Sequence, residues 1–108
     1  MDKTLSYIGL CRKAGKIVLG TDMTADAVRD GKIKLALLSS DASKNTVKRI
    51  TDCCAYRGVK LVTLPFTNAQ IGHATGKSST AAAGITDDNF AALILKSFQT
   101  FQEQHKSI

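Results

Sequence analysis

"TNAQIGHATGKSSTAAAGI", residues 67–85, is the stretch whose reading decides the fold. At its centre stand Gly72, Gly76, Lys77 and Ser78, with three residues between the glycines. A phosphate-cradling P-loop, G-x-x-x-x-G-K-[ST], has four residues there, and it joins a preceding strand to a following helix. Here the order is reversed. Thr67 and Gln70 have the spacing of a capping box, which starts a helix before the loop. That helix runs to about Thr75, and Gly76 falls where a left-handed C-terminal cap is wanted. Thr80–Ile85 then reads as a strand of small residues. No helix N-terminus faces Lys77-Ser78, so the phosphate grip of a P-loop is missing. The segment is a helix-to-strand connection whose charge and hydroxyls suit contact with phosphate or ribose, although such connections also carry Gly, Ser and Thr for conformational reasons alone.

Working outward from this unit, helix and strand signals alternate along the chain. A helix is predicted from about Thr4 to Ala14, a short strand over Lys16–Leu19, and a second helix from Thr21 to about Asp30, with Thr21 or Asp22 as its cap. Leu35–Leu38 is a continuous apolar run, as expected of a strand buried on both faces. Asp41–Ser43 leads into a third helix, with Val47, Ile50 and Cys54 on one face and Gly58 at its end. Val59–Leu64 is the next strand, closed by Pro65. Thr86–Asp88 caps a last helix whose apolar stripe is Phe90, Leu93, Ile94, Phe98 and Phe101. Such alternation predicts an α/β protein, a single three-layer α/β/α sandwich with a four-stranded mixed sheet. With 108 residues the chain suits one domain over 1–108.

Charge is uneven. Residues 1–60 hold twelve Lys/Arg against six Asp/Glu, whereas residues 61–108 hold three of each, so the first half carries the whole excess of +6. A basic face attracts polyanions, and nucleic acid is the commonest inside cells; a merely solubilising surface is the bland alternative. The N-terminus has no long apolar core of a signal peptide, and the longest apolar runs are too short for a membrane. Three cysteines, two of them adjacent at Cys53-Cys54, make a poor disulfide framework and lack metal-ligand spacing, which predicts a reduced, cytoplasmic protein.

Individual residues carry competing readings. Arg12, Lys13 and Lys16 follow the first helix, where cations also favour the helix dipole. Lys44 stands at a helix start, a poor place for a cation on stability grounds, and is a stronger binding candidate than Lys48. Cys11 beside Arg12 and Lys13 could form a thiolate, but burial is the simpler expectation. His73 has no partners in sequence for general-base work, and His105 lies in the tail. Two Tyr and four Phe are too few for a base-stacking platform, so structured RNA read by shape and phosphate fits better than single strands.

The assembled motifs resemble the ribosomal protein L7Ae family of kink-turn RNA binders, most closely its bacterial YlxQ-type members. "RKAGKIVLGTD" (12–22) is similar to the entry into the family's RNA-binding helix. "VRDGKIKLALLSSDAS" (28–43) resembles the helix end, turn, strand and loop that follow, and "IGHATGKSSTAAAGIT" (71–86) the helix, loop and strand that close the site. The resemblance implies an RNA site in which Gly20 opens the helix, Thr21, Asp22 and Met23 take the polar positions that read bases, and Lys32 and Lys77 belong to the turn and loop that meet RNA; charge and position add Lys16 and Lys44 as phosphate contacts. Ser78, Ser79, Thr80 and Ala81 would line the side of bulged nucleotides. The family's archaeal and eukaryotic members favour Asn-Glu after Gly-x and Lys one turn later, whereas this chain has Asp22-Met23 and Asp26. The expected protein is a non-enzymatic, monomeric binder of structured RNA, kink-turn-like or ribosomal, in ribosome- or translation-related RNA metabolism, with no cofactor, metal or membrane. Two alternatives stand beside it: a module docking on a ribosomal, transcription or translation factor, and a small phosphate- or nucleotide-binding enzyme built on Gly76-Lys77-Ser78.

Overall fold

Hydrophobic alternation in two central strands sets the architecture. Leu35 and Leu37 face one layer of helices, and Ala36 and Leu38 face the other; all four are buried. The computed structural model describes residues 3–106, with side chains described for 3–99. Its elements are α1 (Lys3–Lys13), β1 (Ile17–Leu19), α2 (Thr21–Arg29), β2 (Leu35–Leu38), α3 (Lys44–Arg57), β3 (Leu61–Thr63), α4 (Asn68–Thr75), β4 (Ala82–Ile85) and α5 (Asp88–Lys106). The predicted order of helices and strands is therefore found, and the P-loop order is absent from residues 67–85.

The sheet order is β1-β4-β2-β3. β4 runs antiparallel to both β1 and β2, with Leu19 opposite Ala83 and Leu38 opposite Ala82. β2 and β3 are parallel, with Ala36 opposite Leu61. The sheet is mixed, as predicted. One face is covered by α1, α4 and α5 through Ile8, Cys11, Ile71 and Ile94. The other is covered by α2 and α3 through Ala25, Val28, Ile50 and Cys54. Ala82, Ala83 and Gly84 keep β4 thin, and Gly84 lies directly under Ile33, whose Cδ1 would be 2.5 Å from a β-carbon there.

Several boundaries differ from the sequence reading. The cap of α2 is Gly20, one residue before Thr21, and no side chain closes that helix end. β3 omits Val59, whose N–H still bonds the α3 carbonyl of Cys54 at 2.9 Å. β4 omits Thr80, because its N–H turns to the carbonyl of Asn68 at 2.9 Å. Val47 and Leu93 lie on the rims of their stripes, 39% and 45% exposed, while Ile50, Cys54 and Ile94 are buried as predicted. The side chains of Phe101 and His105 lie outside the described residues.

Candidate nucleic-acid interface

β1, β2 and β3 all run in one direction, so the sheet has a carboxyl end and an amino end with different chemistry. At the carboxyl end, β1 leads into α2, β2 into α3 and β3 into α4. Three helix N-termini therefore gather there, each with backbone N–H groups that have no intrahelical partner and a partial positive charge. Two are closed by side chains: Ser43 Oγ accepts from Thr46 N (3.2 Å), and Thr67 and Gln70 form the predicted capping box. The third, α2, is left open. Gly20 has φ 102° and ψ 153°, a conformation that side chains disfavour, and a β-carbon on it would meet nothing within 4 Å. Its N–H donates to Ala82 O (2.9 Å), which sets the open helix end beside the loop leading into β4.

That loop is the one the sequence singled out. Gly76 caps α4 in the left-handed region (φ 78°), and Lys77 N then donates to Gly72 O (2.7 Å), folding the loop back over its own helix. Gly72 makes this possible: a β-carbon there would stand 2.7 Å from Ser79 Cα and 2.8 Å from Ser79 N. Lys77, Ser78 and Ser79 are exposed on the folded loop, and Ala81 is half-buried. Thr80 is only 4% exposed, so its side chain faces inward rather than lining an outer wall. Its hydroxyl and that of Ser39 are buried with no hydrogen-bond partner among the described residues.

The same end is tied together laterally. Thr21 and Thr46 hydroxyls meet at 3.5 Å, and Asp22 is ion-paired with Arg49 on α3. Asp41 Oδ1 accepts from Asn68 N (2.8 Å), joining the loop after β2 to the start of α4. Gly20, Thr21, Asp22, Lys44 and the 77–81 loop are thus brought to one end of the sheet. Lys44 and Lys77 are exposed and make no ion pair among the described residues. Lys16 and Lys32 are not part of this arrangement. Lys16 O accepts from Thr86 N (2.9 Å) at the start of β1, and Lys32 follows α2, so both lie at the amino end. Nine residues of α2, at about 1.5 Å each, separate the two ends on that side.

Sequence reasoning gave Arg49 and Arg29 no role as ion-pair partners. They pair with Asp22 and Asp26, the two acids at positions where the resembled family favours amide or basic residues. The Asp26–Arg29 spacing of three on a helix was the available signal; the Asp22–Arg49 pair joins two helices and leaves no local signature. All four side chains are largely solvated, so the pairs neutralise charge more than they stabilise the fold.

Cys11 is buried and donates from Sγ to Lys16 O (3.2 Å). Burial, then the charge of Asp87, pushes its pKa up to about 11, so the neighbouring cations do not make it a thiolate. Burial, then Cys53, does the same for Cys54. Among the described residues no group of three His, Cys, Asp or Glu side chains is arranged to hold a metal ion, and no helix is long and apolar enough to cross a membrane.

The family model for ribosomal protein L7Ae/L30e/S12e/Gadd45 matches residues 2–95. The chain belongs to this family. It is 37% identical over 84 residues to the RNA-binding protein YlxQ of Bacillus subtilis strain 168, covering 78% of this chain and 83% of that protein. It is 36% identical over 89 residues to the RNA-binding protein YlxQ of Enterococcus faecium, covering 82% and 84%. Among solved structures, a protein of unknown function from Bacillus halodurans C superposes with a TM-score of 0.86 at 27% identity, covering 92% of this chain and 99% of that one. The Giardia lamblia 15.5kD RNA binding protein superposes with a TM-score of 0.71 at 21% identity, covering 89% and 84%, a likeness of fold.

Proposed function

We propose that the chain is a non-enzymatic, monomeric RNA-binding protein that recognises a kink-turn-like element through the carboxyl end of its sheet. The observation that carries this reading is the uncapped N-terminus of α2, opened by Gly20 and held beside the 77–81 loop. Open N–H groups, an adjacent carboxylate and a flat backbone suit base edges, which present donors and acceptors in fixed patterns. Asp22 is acceptor-only and suits a guanine amino group once it exchanges Arg49 for the base. Lys44 and Lys77 neutralise flanking phosphates, and Ser78, Ser79 and the backbone at Ala81 border the bulged nucleotides. Thr80 supports that loop from beneath. The names of the two bacterial relatives support RNA as the ligand. Ribosomal RNA, a cytoplasmic setting and a further ribosomal or factor partner belong to the same proposal, the setting being consistent with three free cysteines.

The test is a titration of a kink-turn RNA against the same RNA with its sheared G·A pairs replaced. Wild type binds the intact RNA more tightly. Gly20→Ala lowers that affinity at least tenfold, and Lys77→Gln weakens both RNAs alike. Equal affinity for the two RNAs in the wild type would sink the kink-turn reading.

A further inference from the structure

The amino end of the sheet carries most of the protein's excess cations, and the site proposed above does not use them. Lys16, Lys34 and Lys60 each stand immediately before a strand, and backbone bonds fix them along one rim. Thr86 N donates to Lys16 O (2.9 Å), Lys34 N donates to Ile85 O (2.7 Å), and Ala36 N donates to Lys60 O (2.9 Å). In the order β1-β4-β2-β3, the backbones of Lys16 and Lys34 are two strand spacings apart, roughly 10 Å, and Lys60 is one further spacing of about 5 Å along. Arg12 and Lys13, at the end of α1, and Lys32, in the turn before β2, adjoin the same rim. All six are exposed and have no ion-pair partner among the described residues.

Helix dipoles explain only part of this. Arg12, Lys13, Arg29 and Arg57 fall in the last turns of α1, α2 and α3, where a cation is favourable. Lys16, Lys34 and Lys60 are outside every helix, and the dipole field falls off within the last turn. The acids at this end do not cancel them. Asp26 is paired with Arg29, and Asp87 accepts from Phe90 N (2.9 Å) as the cap of α5. Asp87 keeps its charge as a cap, so Asp30, Asp87 and Asp88 remain, against seven unpaired cations once Arg57 is included. Like charges in a row repel one another, and a polyanion with regularly spaced charges relieves that repulsion. The large exposed apolar or aromatic side chains of this end are two, Leu10 on α1 and Tyr56 in the last turn of α3, where Arg57 lies 5.7 Å over its ring, too few for the apolar core of a protein interface.

We propose that this rim is a second docking surface, for the phosphate backbone of an RNA duplex, so that one molecule bridges two RNA segments. The first segment is read at the carboxyl end and the second is held by charge at the amino end. The probe is a plain RNA duplex without bulges, titrated with the full chain at several salt concentrations. Wild type binds it with a steep salt dependence. The triple variant Lys16→Gln, Lys34→Gln, Lys60→Gln, with an unchanged melting temperature, binds at least tenfold more weakly, and its log K against log salt slope is shallower by about three. Lys44→Gln with Lys77→Gln changes duplex affinity by less than about threefold. Fluorescence transfer between a labelled kink-turn RNA and a labelled duplex on one protein reports bridging, and the triple variant abolishes it. An unchanged slope in the triple variant overturns the proposal, as does wild-type protein that ignores the duplex at low salt. Tighter binding to poly-glutamate than to the duplex assigns the rim to an acidic protein and likewise overturns it. If kink-turn recognition fails while duplex binding and its slope behave as stated, the reading of the carboxyl end falls and the rim stands.

Discussion

The two ends of the sheet are electrically opposite in construction. At the carboxyl end the positive character comes from backbone, the N-termini of α2, α3 and α4, with few free cationic side chains. At the amino end the C-termini of α1, α2 and α3 outnumber the one helix N-terminus, that of α5, which Asp87 caps, and cationic side chains overlay the negative backbone. Backbone charge is fixed in direction and can be aimed at particular atoms. Charge on lysine side chains is mobile and follows any phosphate within reach. The first kind of end is built to discriminate and the second to attract. The same difference shows in what each end costs. The carboxyl end holds a glycine at φ 102° and three buried hydroxyls without a hydrogen-bond partner among the described residues, Thr24, Ser39 and Thr80; the amino end holds unpaired like charges.

The largest effect is expected at Gly72. A methyl group there meets backbone atoms of Ser79 rather than a yielding side chain, so the 77–81 loop must lift off α4. Gly72→Ala should cost about 1–3 kcal/mol, as overpacking typically does. Chemical denaturation would measure it, and kink-turn binding should fall with it while plain-duplex binding at the amino end persists. A variant as stable as wild type would mean that the loop is not clamped to the helix.

Gly20→Ala should come next. Here nothing is crowded, and the cost is conformational, about 1–3 kcal/mol for a non-glycine residue held outside its allowed region. Because the strain sits at the open end of α2, hydrogen exchange should quicken in the first turn of α2 and leave the amino-end turns unchanged. Uniform quickening would show that the ends are not independent.

These two glycines also mark what the sequence could and could not tell. The capping box at Thr67 and Gln70, the apolar run Leu35–Leu38 and the αL stop at Gly76 are local patterns, and each was legible. Gly20 as helix opener was available from the family resemblance, although pattern alone favoured Thr21 or Asp22 as the cap. Gly72 gave no local signal, because the atoms it must avoid come from a loop that doubles back. Lys32 and Lys77 entered the predicted site through the family resemblance, and Lys16 and Lys44 through charge and position, none of which reports strand direction. Separating them needed strand direction, which fixes the end of the sheet each residue occupies.

A smaller effect tests the cost at the carboxyl end. The Thr80 side chain is buried, and its hydroxyl has no hydrogen-bond partner among the described residues. Thr80→Val removes the polar group and keeps the branch, so stability should rise by about 1 kcal/mol. Thermal melting would register this as a gain of roughly 4 °C or more in a domain of this size. A lower melting temperature would mean that the hydroxyl has a partner.

The smallest effect is silent near neutrality and belongs to the amino end. Cys11 and Cys54 lie in the last turns of α1 and α3, and burial raises both thiols to about 11, above the ordinary value of 9.0. Below pH 9 both are protonated whether the chain is folded or not, and they contribute no slope. Between about pH 9 and 11 the unfolded chain loses these protons while the folded chain keeps them, so stability falls as pH rises. Replacing both by alanine should flatten that part of a stability-versus-pH curve, although the cavities lower the whole curve. The surrounding cations give the comparison its edge. If Arg12, Lys13 and Lys16 reached inward they would draw the Cys11 thiol below its ordinary 9.0, and its contribution would rise with pH below 9 and be flat between 9 and 11. A fall between pH 9 and 11 that lessens when Cys11 alone is replaced therefore also reports that Arg12, Lys13 and Lys16 point outward, where a phosphate backbone can reach them.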